Sequence, residues 1–256
     1  MNDSPLHVQL DRDGTLLRLK LSRPKANIID AAMITALDDA LDQNLGNERL
    51  LGVLLEAEGP HFSFGASVEE HLPAQCRAML AKLHSLILRM AGFPVPILVA
   101  VQGQCLGGGL EVACAGNRIF ATPNAMLGQP EIQLAVFAPA ASCLLPPRIG
   151  QARAEQLLFS GASIDAAEAL RIGLVDQVDE DAVAAALAWF DQHLAGKSPS
   201  SLRYAVTAVR EDYVRRLEEK LNALETLYLD ELMQSHDAVE GLTAFLEKRK
   251  PEWNHH

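Results

Sequence analysis

The stretch "VAVQGQCLGGGLEVACAGN", Val99–Asn117, decides the reading of this chain. A β-like apolar run, Pro96–Val101, passes through Gly103 into Gly107-Gly108-Gly109, and "LEVACA" continues with helical spacing. Residues without side chains permit unusual dihedrals and let a ligand come close to the main chain. The first amides of a helix have no acceptor within it and carry the positive end of its dipole, so such a junction suits a negative oxygen. The same glycines also serve tight packing of strand against helix, and this stretch alone leaves both readings open. Glu111 stands two residues past the last glycine, inside an otherwise apolar segment.

Working outward, apolar strands alternate with helical patterns, which predicts an α/β fold. Val8–Leu10 and Leu16–Leu21 read as β-runs around the Asp13-Gly14 turn. Ala31–Leu45 has helical periodicity with Asp30 as its N-cap. Gly52–Ala57 and Arg118–Thr122 read as strands, and a helix is expected over about Ala74–Met90. From Asp181 onward the pattern is helical, broken at "KSPSS" (Lys197–Ser201), with a long amphipathic helix expected over Val214–Gln234. A boundary near Gly196 divides an α/β core, residues 1–195, from a helical region, 196–256. No internal repeat is visible.

Of the 256 residues, 49% are hydrophobic and the formal net charge is −11, so long nucleic acid is not the expected partner. Cys76, Cys105, Cys114 and Cys143 form no CxxC pair and mostly sit in apolar runs. They read as reduced core residues of a cytoplasmic protein. The N-terminal stretch lacks a signal-peptide pattern and no apolar run reaches transmembrane length.

A second glycine-bearing turn changes the weight of the first. "GPHFSFGASVEE", Gly59–Glu70, follows the strand Gly52–Ala57, and Gly65-Ala66-Ser67 read as an exposed turn feeding a helix. Two such turns can aim two backbone N–H groups at one oxygen, forming an oxyanion hole. Glu131 follows Gly128-Gln129-Pro130 and is flanked, like Glu111, by apolar residues. Two carboxylates in apolar settings read either as an acid–base pair with shifted pKa values or as buried glutamates in structural hydrogen bonds.

Other motifs fail on spacing. Gly196-Lys197-Ser198 lacks the earlier glycine of a P-loop, since position 191 is Asp. A dinucleotide fingerprint from Gly107 needs glycine at position 112, which is Val. Ser63 lacks the glycine of a nucleophile elbow two residues earlier. His61, His71 and His84 have no metal-ligand spacing, and read as surface or packing residues.

Taken in order, "LSRPKANIID" (Leu21–Asp30), "HFSFGASVEE" (His61–Glu70), "GQCLGGGLEVACAGN" and "LGQPEIQL" resemble the enoyl-CoA hydratase/isomerase, or crotonase, superfamily. The likeness continues through Leu157–Val178 and Asp237–Trp253. It implies a spiral of ββα turns, a C-terminal helical region supporting trimers or dimers of trimers, and an acyl-CoA thioester as substrate. Position by position, the oxyanion amides fall on Ala66 and Gly108, and the two glutamates of family hydratases on Glu111 and Glu131. The presence of both favours hydration over isomerisation or hydrolysis, with no metal and no cofactor beyond the CoA of the substrate. Arg23 and Lys25, and also Lys248, Arg249 and Lys250, are candidates for the CoA phosphates, and Val68 for the pantetheine arm.

The chain departs from the family pattern in places. Phe64 stands where a small residue is usual, and Ser67 where an acid is usual. After Glu131 the usual glycines are replaced by "LAVFAPAASCLLPPRIG", Leu134–Gly150. These departures predict a reshaped, more apolar acyl pocket lined by Phe137 and Phe64. Such a pocket fits a flat carbocycle and equally a short linear or branched chain, so an ordinary short-chain 2-enoyl-CoA hydratase is the alternative. A non-catalytic binding protein of the same fold is a third reading, opposed by the acidic charge and the two glutamates.

Overall fold

The computed structural model describes residues 4–255. A six-stranded sheet runs in the order β1 (Leu6–Asp11), β2 (Leu16–Leu21), β3 (Gly52–Ala57), β4 (Ile97–Val101), β6 (Arg118–Ala121) and β9 (Gln177–Val178). Only the β1–β2 pair is antiparallel; the other pairs are parallel. Asp13 and Gly14 both take positive φ in the connection between β1 and β2, a conformation these residue types tolerate.

The near-continuous apolar sequences of β3 and β4 follow from burial on both faces. Along β3, Leu54 points to one face, against α7 (Ala182–His193) with its Ala186 and Phe190. Val53 and Leu55 point to the other, against α1 (Ala31–Asn44) and α2 (Cys76–Ala91). Asp30 caps α1 by accepting from the Met33 amide, as its place before the periodic segment predicts.

A second sheet pairs β5 (Gln104–Leu106), β7 (Met126–Gly128) and β8 (Ser163–Asp165). Single bridges extend it toward the N-terminus, Ser63 with Cys105 and Ile29 with Ala66. Each turn of the chain therefore leaves the large sheet, contributes a short extended segment to the second, and returns. This is a spiral of ββα turns that repeats in geometry without repeating in sequence. The three-residue β5 and β7 are too short to show a period of two, and the sequence reading places no strand there.

One further expectation is corrected. The long C-terminal helix is α8, Pro199–Thr226, which starts fifteen residues before Val214 because Ser198 caps it and Pro199 suits a first helical position. Its first half buries no side chain, so no apolar stripe announces it. It ends in a π-helical turn, Leu227–Glu231. The stretch Leu134–Gly150, read above only as pocket-shaping, is helical over most of its length: α4 spans Pro139–Ile149, again opening on a proline. Next come α5 (Gln151–Ser160) and α6 (Ala166–Arg171). From the last helices, Leu217, Leu221, Tyr228, Leu229 and Leu242 join the same apolar core as the α/β part. All four cysteines are free and buried. Among the described residues no helix is long and apolar enough to cross a membrane.

Candidate active site

The Gly59–Glu70 turn is fastened from beneath by side chains. Ser63 Oγ accepts from the Gly65 amide at 3.1 Å and donates to the Asn27 carbonyl at 2.8 Å. Asn27, fully buried at φ 43°, donates through Nδ2 to the carbonyls of Glu58 and His61, both at 3.0 Å. Its Oδ1 accepts from the Arg23 amide at 2.8 Å. The Phe64 amide donates to the Ala26 carbonyl, and the Ile29 amide to that of Gly65. Gly65 has φ +109°, closed to most L side chains, and a Cβ there would sit 3.1 Å from the Leu106 carbonyl oxygen.

The second turn leads into α3, Gly108–Ala115. Gly107 has φ +49° and ψ −128°, and a Cβ on it would lie 2.6 Å from Glu131 Oε1. The backbone therefore favours glycine at position 107, and any side chain there would push the Glu131 carboxylate out of its place. The two turns meet: a Cβ built on Gly108 would stand 3.1 Å from the Ala66 nitrogen. Among the described residues, neither the Ala66 nor the Gly108 amide donates to a protein acceptor. Amides at a helix start have no acceptor within the helix, so two neighbouring unpaired amides from different turns offer a place for an outside oxygen.

Glu56 and Glu111 are buried and Glu131 is half-buried, and their surroundings separate them. Glu56 is neutralised by Arg18, whose Nη2 lies 2.7 Å from Oε1. Glu111 and Glu131 have no basic side chain within ion-pair distance among the described residues. Glu111 Oε1 instead accepts from the Ala141 amide at 2.8 Å, in the first turn of α4, where the helix dipole favours the anion. Burial nevertheless raises its carboxyl to about 7. Burial, and then the charge of Glu111, raise Glu131 to about 8. Turned with its nitrogen toward the carboxylate, the buried Gln129 amide donates to Glu131 Oε2 at 2.9 Å and Oε1 at 3.1 Å. Two such carboxyls, each raised by burial, titrate as a coupled pair near neutrality.

A cavity of about 340 Å³ opens here, walled by Phe64, Gly65, Ala66, Val68 and His71 on one side and Gly107, Glu131, Leu134 and Val136 on the other. Gly241, Leu242 and Phe245 of α9 (His236–Leu246) close it, with Arg249 and Pro251. Glu111 is buried behind this wall rather than part of it. Phe64 is 44% exposed and meets His61 edge-on at 4.9 Å.

Other predicted residues lie elsewhere. Phe137 is not in the wall; its ring packs edge-on against Tyr228 at 5.2 Å. Ser67 Oγ donates to Glu69 Oε2 at 3.2 Å outside the wall. Arg23 and Lys25 are exposed and outside the cavity, with Arg23 paired to Asp30 at 2.5 Å. Arg249 does reach the wall, but Glu240 and Glu247 hold its guanidinium. Asn27, Ser63 and Gln129 were missed, because they act on backbone that is distant or turned in ways no spacing displays. His71 was missed as a wall residue: its Nδ1 meets the Ser67 carbonyl at 2.7 Å, which fixes the ring against the cavity.

The enoyl-CoA hydratase/isomerase family profile spans residues 11–256, and the chain belongs to this family. It is 66% identical, over 98% of its length and 97% of the relative's, to the cyclohexa-1,5-dienecarbonyl-CoA hydratase of Thauera aromatica. It is 34% identical to a probable enoyl-CoA hydratase of Bacillus subtilis (strain 168), over 96% and 98% of the two chains. Among solved structures, an enoyl-CoA hydratase from Mycobacterium avium subsp. paratuberculosis K-10 superposes with a TM-score of 0.84 at 26% identity, covering 98% of each chain.

Proposed function

We propose that the protein adds water to cyclohexa-1,5-diene-1-carbonyl-CoA to give 6-hydroxycyclohex-1-ene-1-carbonyl-CoA, a step in anaerobic benzoyl-CoA degradation. The observation that carries the reading is the meeting of two unpaired amides, Ala66 in the cavity wall and the adjoining Gly108, with Glu131 in the same wall and Glu111 buried outside it, both carboxyls raised toward neutrality. The high identity to a hydratase of that cyclic substrate supports the choice of thioester.

In this mechanism the thioester oxygen accepts from the Ala66 and Gly108 amides. Glu111, held by α4 amides that favour its ionised form, takes a proton from water. The water oxygen bonds to the ring carbon β to the thioester, and the electron pair of that double bond passes toward the thioester oxygen. The resulting dienolate is stabilised by the two amides, a contribution worth roughly 10²–10³ in rate per donor. Glu131, the carboxyl with the higher pKa, delivers a proton to the far end of the diene, and the remaining double bond moves between them. The chain's own groups and the thioester suffice for these steps.

Phe64 and Val68 stand where they can flank the acyl and pantetheine portions. Arg23 and Lys25, exposed outside the cavity, are our candidates for the CoA phosphates, while Phe137 packs on Tyr228 instead of meeting the acyl group directly. The trimeric or hexameric assembly and the cytoplasmic location belong to the same proposal; exposed Tyr204 and Val209 on α8 offer apolar surface for a neighbouring copy. The test is incubation with the cyclic dienoyl-CoA and with crotonyl-CoA in deuterated water. Deuterium at the ring carbon distal to the thioester is expected, with preference for the cyclic substrate. Preference for crotonyl-CoA would establish the short-chain 2-enoyl-CoA hydratase instead.

A further inference from the structure

Tyr228 lies in the π-helical turn Leu227–Glu231 that ends α8. Extra residues in such turns change which side chains face inward, and they recur at functional sites. Here two consecutive residues, Tyr228 and Leu229, are both buried. The Tyr228 side chain is wholly withdrawn from solvent, yet its hydroxyl has no hydrogen-bond partner among the described residues. Phenylalanine would fill the same space without leaving a polar atom unpaired, so the hydroxyl is unexplained by packing.

Its location supplies an explanation. The Tyr228 ring rests on Phe137, in the short link between the turn that carries Glu131 and the helix whose first amides hold Glu111. Burial above all, and then neighbouring Cys76, Glu131 and Glu111, keep the phenol's proton on. A phenol held protonated has a hydrogen to donate and, among the described residues, no protein acceptor for it.

We propose that Tyr228 is a positioning residue for hydration, its hydroxyl donating a hydrogen bond to the water that Glu111 and Glu131 share. This rests on the hydratase reading above. The bond leaves a lone pair of the water free to face the β-carbon. Protons balance without the phenol: Glu111 takes one from water, Glu131 gives one to the ring, and Tyr228 keeps its own throughout.

The experiment compares wild type and Tyr228→Phe, both as the full chain, in steady-state turnover of the cyclic dienoyl-CoA and crotonyl-CoA across pH, with thermal melting alongside. The variant is expected to lose about ten- to a hundredfold in kcat, the worth of one hydrogen bond in a charged setting. KM should stay near the wild-type value, and the acid limb of the pH profile should move upward, because a dipole favouring ionised Glu111 is gone. Its Tm should match or exceed that of wild type. A Tm well below wild type would show the hydroxyl holding the fold and overturn the proposal. So would a variant with wild-type kcat and pH profile while wild type hydrates either thioester. Wild type inert toward both thioesters sinks the hydratase reading, and this assignment with it.

Discussion

The two turns that present the orphan amides are built on opposite plans. The Gly65-Ala66 turn is held by added side chains: Ser63 and Asn27 tie it to three stretches of backbone. The Gly107-Gly108 turn is held by what is left out, since its conformation disfavours a Cβ at 107 and a Cβ there would displace the Glu131 carboxylate. The first should fail by deletion of a polar group and the second by addition of a carbon. A main-chain site can thus be assembled from one stretch whose function reads in its glycines and another whose function hides in its supports.

The strongest test removes the chemistry and leaves both turns in place. Glu111→Gln keeps an oxygen for the Ala141 amide, so the fold should stand while turnover falls by about 10²–10⁴-fold. A raised folded-state pKa means this carboxyl favours folding below the ordinary carboxylate range and opposes it as pH rises through about 7. Melting at pH 9 should therefore be higher for the variant than for wild type. In wild type, kcat/KM should trace a bell, falling below about 7 as the base is protonated and above about 8 as the acid ionises. A flat profile between pH 6 and 9 would remove the pair from the mechanism.

Gly107→Ala comes next. It forces a Cβ against Glu131 Oε1 at a disfavoured φ, displacing an amide and a carboxylate together, and should cost about 10²–10³ in kcat. Ser63→Ala attacks the other turn from below. Loss of two buried hydrogen bonds should lower stability by about 1–3 kcal/mol and turnover by less than the glycine variant does. Equal losses in turnover would erase the contrast between the turns. Smallest is Lys25→Ala, an exposed cation, for which KM should rise about two- to fivefold at low salt and less at high salt. A salt-independent change would argue against a phosphate contact.

The sequence by itself determined the α/β class, the strands Gly52–Ala57 and Pro96–Val101 (observed from Ile97), the capped helix after Asp30, and Glu111 and Glu131 as unusual carboxyls. These features are local: burial on both faces of a strand, a cap, or an acid in an apolar run writes itself into adjacent residues. Ordered motifs extended that reading to the family. Only the tertiary structure decided that Glu56 is neutralised while Glu111 and Glu131 are not, since Arg18 lies 38 positions from its partner. It also decided that α9 closes the cavity, that Phe137 supports Tyr228 instead of lining the wall, and that the stretch after Pro139 is a helix aimed at Glu111. Each of these depends on which distant segment arrives opposite a residue, and charge compensation, wall membership and helix aim are properties of that encounter. No window of sequence contains both partners.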